Sequence, residues 1–105
     1  MAQLPLLNAQ TGTTYTLVLG DAGKFVTLSN ASAITLTVPL ASSVAYAIGT
    51  SIDLVQLGAG QVTVAATGGV TIRSTPGLKL RAQYSAATLL KIASDTWVLV
   101  GDISA

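Results

Sequence analysis

The chain has 105 residues, of which 9% are charged: four Asp and no Glu stand against five Lys and Arg, for a net charge of +1. One domain of this length owns a core, though not a large one, and so small a net charge excludes the electrostatic footprint of a nucleic-acid binder. There is no Cys and no His, so disulfide and thiolate chemistry are absent and the commonest general base and metal ligand are missing.

The chain opens on MAQLPLLNAQ, a short apolar run broken by Pro5, with no basic residue ahead of it as a signal peptide would carry. Residues 1–12 are expected to form an arm and residues 13–105 a single β domain. Leu4, Leu6 and Leu7 make that arm apolar. An isolated apolar arm is costly in water, so it is expected to pack on a neighbouring subunit or on a larger assembly.

From there the dominant period is two. TYTLVLG puts Tyr15, Leu17 and Leu19 on one face, and ITLTVPL alternates Ile34, Leu36, Val38 and Leu40 with Thr35, Thr37 and Pro39. QVTVAAT offers Val62 and Val64, GVTIRS offers Val70 and Ile72, and LKLRA offers Leu78 and Leu80. Such alternation predicts strands with one buried face, and the fourteen Thr suit a pleated surface. Residues 82–93 are read as a loop followed by a strand, with DTWVLVG as its hairpin partner. Gly-, Asn- and Asp-rich turn signals, such as Gly20–Gly23 and Gly58–Gly60, recur every 8–12 residues or so, which points to hairpins. The expected fold is all-β: a compact antiparallel β-sandwich or barrel, jelly-roll-like, without a fixed-period repeat. No run reaches the roughly 18 apolar residues of a membrane-spanning helix.

Several strands are apolar on both faces. SIDLVQL sets Ile52 and Leu54 against Val55 and Leu57, TWVLVG sets Trp97 and Leu99 against Val98 and Val100, and KFVTLS sets Phe25 against Val26 and Leu28. A two-layer domain cannot cover both faces of so many strands. The second faces are therefore expected to meet another subunit, with Leu4, Leu6, Leu7, Val55, Leu57, Trp97, Val98 and Val100 as the interface residues and a closed homo-oligomer, a trimer, as the product.

Chemistry-bearing patterns are scarce. GAG at 58–60 lacks the third small residue and the following helix of a dinucleotide fingerprint, so it reads as a turn. Asp21, Asp53, Asp95 and Asp102 are scattered; turn roles are expected, and no loop has calcium-ligand spacing. Ser and Thr are plentiful, but without His no hydrolase is expected. Arg73, Lys79 and Arg81 could form a basic patch or simply guard a strand edge. Tyr46 and Tyr84 are candidates for exposed contacts, and NAS at 30–32 matches a glycosylation acceptor in a turn. No catalytic residue, metal or cofactor is expected.

The stretches TYTLVLGDAGKFVTLSNASAITLTVP (14–39), GTSIDLVQLGAGQVTVAA (49–66), GVTIRS (69–74) and LKLRAQYSAATLLKIASDTWVLVGDI (78–103) together resemble a β-rich module of tailed-bacteriophage structural proteins, found in head-decoration, fibre and tail-associated chains. The resemblance rests on the D-A-G-K turn, the G-x-G-Q-V-T segment and the terminal D-T-W-V-L-V-G-D strand. It implies an oligomeric, commonly trimeric virion component without catalysis, made in the bacterial host cytoplasm and sited on the capsid surface. Because the resemblance covers nearly the whole chain and leaves no separate anchoring domain, a small decoration or cement protein binding the major capsid protein is expected. The competing expectation is a host-recognition module of a tail fibre or spike. Neither nucleic acid nor membrane is an expected partner.

Overall fold

The alternating runs form strands whose apolar residues point between two sheets. The computed structural model describes residues 7–105. Among them lie β1 (Leu7–Gln10), β2 (Thr14–Thr16), β3 (Phe25–Leu28), β4 (Ile34–Val38), β5 (Ser51–Gln56), β6 (Val62–Ala66), β7 (Thr71–Arg73), β8 (Lys79–Leu80), β9 (Ala86–Ala93), β10 (Thr96–Gly101) and β11 (Ile103–Ser104), with one short 3-10 turn at Leu19–Asp21. The front sheet runs β1-β3-β5-β9-β10-β7 and the back sheet β11-β8-β6-β4-β2.

The class is all-β, but the expected antiparallel, jelly-roll-like sandwich or barrel is corrected. The chain changes sheet at every connection except β9 to β10, where it folds back as an antiparallel hairpin. The pairs β1–β3, β3–β5, β2–β4 and β4–β6 are parallel. Parallel neighbours need a long crossover, usually a helix; here the crossover from one front strand to the next is a strand of the back sheet. The result is a short solenoid of stacked coils, closed at one end by the antiparallel β9, β8 and β11.

Stacking requires like turns on like turns. Phe25 pairs with Asp53 in the front sheet and Ile34 with Val62 in the back sheet, the same 28-residue offset on both sides of the turn. The offset is not a fixed period along the chain, since the preceding coil is spaced by 18 residues in the front sheet (Leu7 to Phe25) and 21 in the back sheet (Thr14 to Thr35). The turn at 57–61 sits directly on the turn at 29–33: Leu57 N donates to Leu28 O at 2.7 Å, and Gly60 N to Asn30 O at 2.8 Å. Asn30 Nδ2 in turn donates to Thr11 O at 2.8 Å, tying in the first coil. Gly58–Gly60 is thus a tight arch between sheets, not a hairpin turn. A Cβ at Gly60 would overlap the carbonyl of Ser32, and one at Gly58 would lie 2.6 Å from Asn30 N.

The space between the sheets holds Val26, Leu28, Ile34, Leu36, Val38, Ile52, Leu54, Val62, Val64, Leu80, Leu89, Trp97 and Leu99, with Leu17 and Tyr46 at one corner. Tyr46 meets the Trp97 ring edge-on, with centroids 5.4 Å apart and planes at 86°. Each large aliphatic side chain so placed stabilises the fold by about 1.5–3 kcal/mol. Buried polar groups are satisfied locally. Gln56 Oε1 accepts from Val62 N at 3.0 Å, which holds the arch from inside.

Lys91 lies on the inward side of β9 and is buried, with Nζ donating to Tyr46 O at 2.8 Å. A buried ammonium held by a carbonyl costs desolvation that a methionine of similar length avoids. Lys91→Met is expected to raise stability by about 1 kcal/mol in urea unfolding; a fall would show that this one hydrogen bond outweighs the desolvation.

Candidate interaction surface

Outward parity on the front sheet selects a second set of residues. Leu7, Phe25, Leu90, Ile92 and Val100 are exposed there, and Val55 and Val98 are half-buried. Register joins them in rows across the strands. One row runs Leu7–Phe25–Asp53–Thr88–Val100, the next Ser51–Leu90–Val98–Arg73. The back sheet presents a different face: Thr14, Thr35 and Thr63 stand in one rank with Lys79, and Thr16 and Thr37 in the next. The front face interleaves large apolar side chains with Ser51, Asp53, Thr88 and Arg73, whereas the back face is mostly hydroxylated.

The expected interface residues divide accordingly. Leu4 and Leu6 lie outside the described residues. Leu7 is 66% exposed on β1; because β1 pairs with β3, residues 7–10 belong to the sheet, not to an arm ending at 12. Val55, Val98 and Val100 share the front face with Leu7. Leu57 is exposed but sits in the stacked turn beyond β5. Trp97 is corrected: it is 1% exposed and belongs to the core of the single chain. Tyr46 is also corrected from exposed contact to core, while Tyr84 is 70% exposed. The basic trio is not a patch, since Arg73 lies on the front sheet, Lys79 on the back sheet, and Arg81 is paired with Asp102.

At the β7 edge, Arg73, Ser74, Thr75, Val98, Leu99, Val100 and Gly101 line an open cleft of about 370 Å³. It exists because β7 pairs with β10 only through Val98 while β10 runs on to Gly101. Its wall is apolar and its rim carries the Arg73 guanidinium and hydroxyls. Ser74 Oγ donates to Gly77 O, so that hydroxyl is engaged in the turn. The open cleft has room for an inserted side chain.

Two polar clusters serve the fold. Arg81 grips Asp102 in a bidentate pair, Nε to Oδ1 at 2.7 Å and Nη2 to Oδ2 at 2.9 Å. Hydrogen bonds from Arg81 and then from Ser85 hold the Asp102 carboxyl below its ordinary range. Both partners are solvent-exposed, so the pair positions the β10–β11 link more than it stabilises the domain. At the opposite end, Asp21 is fully buried where a surface turn was expected. It accepts from Asn8 Nδ2 at 2.7 Å, Tyr15 OH at 2.6 Å and Val18 N at 3.0 Å.

Burial first, and then the hydrogen bond to Asp21, push the Tyr15 phenol from about 10 up to about 12. A raised phenol pKa favours the protonated side chain in the fold. Its contribution is complete below pH about 10 and is lost as pH rises to about 12. The expected result is a stability that falls across that alkaline window, with a shallower fall in Tyr15→Phe. Urea unfolding of both proteins at several pH values between about 10 and 12 checks it, and an equal loss of stability with pH in the two would contradict it.

Among the described residues no three His, Cys, Asp or Glu side chains gather as a metal site, and no helix is long and apolar enough to cross a membrane. The expected interface residues left out Phe25, Leu90, Ile92, Asp53 and Arg73; the parity of KFVTLS, ATLLKIA, SIDLVQL and GVTIRS places them on the front face. No family model, curated protein or solved structure matches the chain.

Proposed function

We propose that this chain is a non-enzymatic structural protein of a tailed-bacteriophage virion, a decoration protein that binds the capsid shell as a homo-oligomer, with three-fold assembly the form its sequence resemblance implies. The observation that carries the reading is the front face: six strands wide, lined by Leu7, Phe25, Val55, Leu90, Ile92, Val98 and Val100, and nearly free of charge. Soluble monomers rarely expose a contiguous apolar patch of more than a few hundred Å². A charge-poor face is covered by protein at little desolvation cost, and each Å² of apolar area so buried contributes about 25 cal/mol. The D-A-G-K, G-x-G-Q-V-T and D-T-W-V-L-V-G-D segments that support the virion assignment fall on turns and strands of the solenoid. They serve architecture, which suits a protein whose task is to attach and stay.

The test is reconstitution. Shells of the major capsid protein assembled without this chain are mixed with the purified oligomer and sedimented. Saturable co-sedimentation at a fixed number of copies per shell is expected. Failure to bind expanded shells at any concentration overturns the decoration reading, and binding to host cell surfaces instead would place the chain on a tail fibre or spike.

A further inference from the structure

The front face carries two ionisable side chains among its described outward positions, and they have opposite sign. Asp53 stands on β5 and Arg73 at the end of β7. Three strand steps, β5 to β9 to β10 to β7, separate them, roughly 14 Å at the usual inter-strand spacing, so they do not pair within one chain. Asp53 Oδ1 accepts from Thr88 Oγ1 at 2.6 Å. Arg73 is exposed, and among the described residues the ion pair present is Arg81–Asp102. Between the acid and the base lies an apolar strip made by Leu90, Val98 and Val100.

We propose that a second copy of this chain covers the front face, with Asp53 of each copy against Arg73 of its neighbour and the Leu90–Val98–Val100 strip buried between them. The order acid, apolar strip, base is self-complementary under a two-fold rotation: a copy so laid on the face sets unlike charge on unlike charge, where a one-signed face would repel its own copy, and the contact closes pairs of copies, so that a three-fold assembly would need a second surface. Size agrees. The six strands average about five residues, which at the usual rise and spacing gives a footprint of roughly 500 Å² per copy, or about 1,000 Å² in total, the least that a specific interface needs. The cleft beside Arg73 continues this face through Val98 and Val100 and receives side chains from the neighbour's rim.

This contact rests on the reading of the chain as an assembling protein and adds the surface through which it assembles. The experiment is charge reversal in the full chain, read as mass by sedimentation equilibrium, with circular dichroism to confirm the fold. Asp53→Arg and Arg73→Asp are each expected to weaken self-association by at least roughly tenfold, and the double reversal to restore most of that loss. Val100→Glu, which sets a charge in the strip, is expected to leave folded monomer. An oligomer whose mass none of these variants changes would overturn the front-face contact and leave the assembling protein standing. A wild-type chain that stays monomeric at high micromolar concentration would overturn both.

Discussion

Gly60→Ala is expected to destabilise the fold by about 3 kcal/mol or more, at the upper end of the overpacking range. The added methyl has nowhere to go. Gly60 is buried in the arch between β5 and β6, with the Ser32 carbonyl and the Asn30 carbonyl occupying the space in front of it. Both are backbone atoms, so no rotamer change relieves the overlap; the two coils must separate. Separation breaks the Gly60 N to Asn30 O and Leu57 N to Leu28 O bonds and disturbs every residue in register with them. Gly68→Ala is the control, since nothing lies within 4 Å of a Cβ there; it is expected to shift stability by less than about 1 kcal/mol. Urea unfolding of the three proteins checks this. Equal midpoints would show that the arches do not touch as described.

Trp97→Ala is expected to cost about 3–5 kcal/mol. The indole is 1% exposed and faces inward from β10, beside Lys91 and Ile72 in register. Its removal leaves a cavity, and Tyr46 loses its edge-on partner. Tyr46 also donates its hydroxyl to Val18 O and accepts from Lys91 at its carbonyl, so the damage spreads to the corner that joins β2, β9 and β10. Trp97→Phe keeps a ring in place and is expected to lose less than half as much. Thermal unfolding followed by circular dichroism decides it. A loss under about 1 kcal/mol for Trp97→Ala would contradict the core placement and return Trp97 to the interface where the sequence first put it.

Most strand positions and their buried sides were legible, because alternation depends only on local parity; TYTLVLG was the exception, since its strand stops at Thr16 and Leu19 is exposed in the 3-10 turn, off the face it was read to share with Leu17. Val26, Leu28, Ile34, Leu36, Val38, Val62 and Val64 all point inward as read, and Phe25, Val55, Val98 and Val100 point outward. The hairpin of β9 and β10 was legible too, since DTWVLVG follows its partner across a short turn. Topology was not. A turn of a few residues rich in Gly, Asn and Ser joins neighbours in one sheet or arches between two sheets equally well, and the choice lies in what stacks beneath it. Asn30 beneath Gly58 and Gly60 is a contact across 28 residues, visible only once the two coils are aligned. Composition likewise hid Asp21 and Lys91. Both are charged residues that single-residue statistics put outside, yet parity along ATLLKIA already turned Lys91 inward. The interface list mixed two kinds of apolar residue for the same reason: Trp97 and Val98 are adjacent, equally apolar, and on opposite sides of the strand.

The front face and the proposed role on the shell meet in one number, the count of copies per particle. Quantitative mass spectrometry of purified virions, with isotope-labelled peptides of this chain and of the major capsid protein, measures it directly. A decoration protein that occupies symmetry-related sites is expected in hundreds of copies, at a fixed simple ratio to the capsid protein. A handful of copies per virion would assign the chain to the tail, and none at all would contradict the structural role.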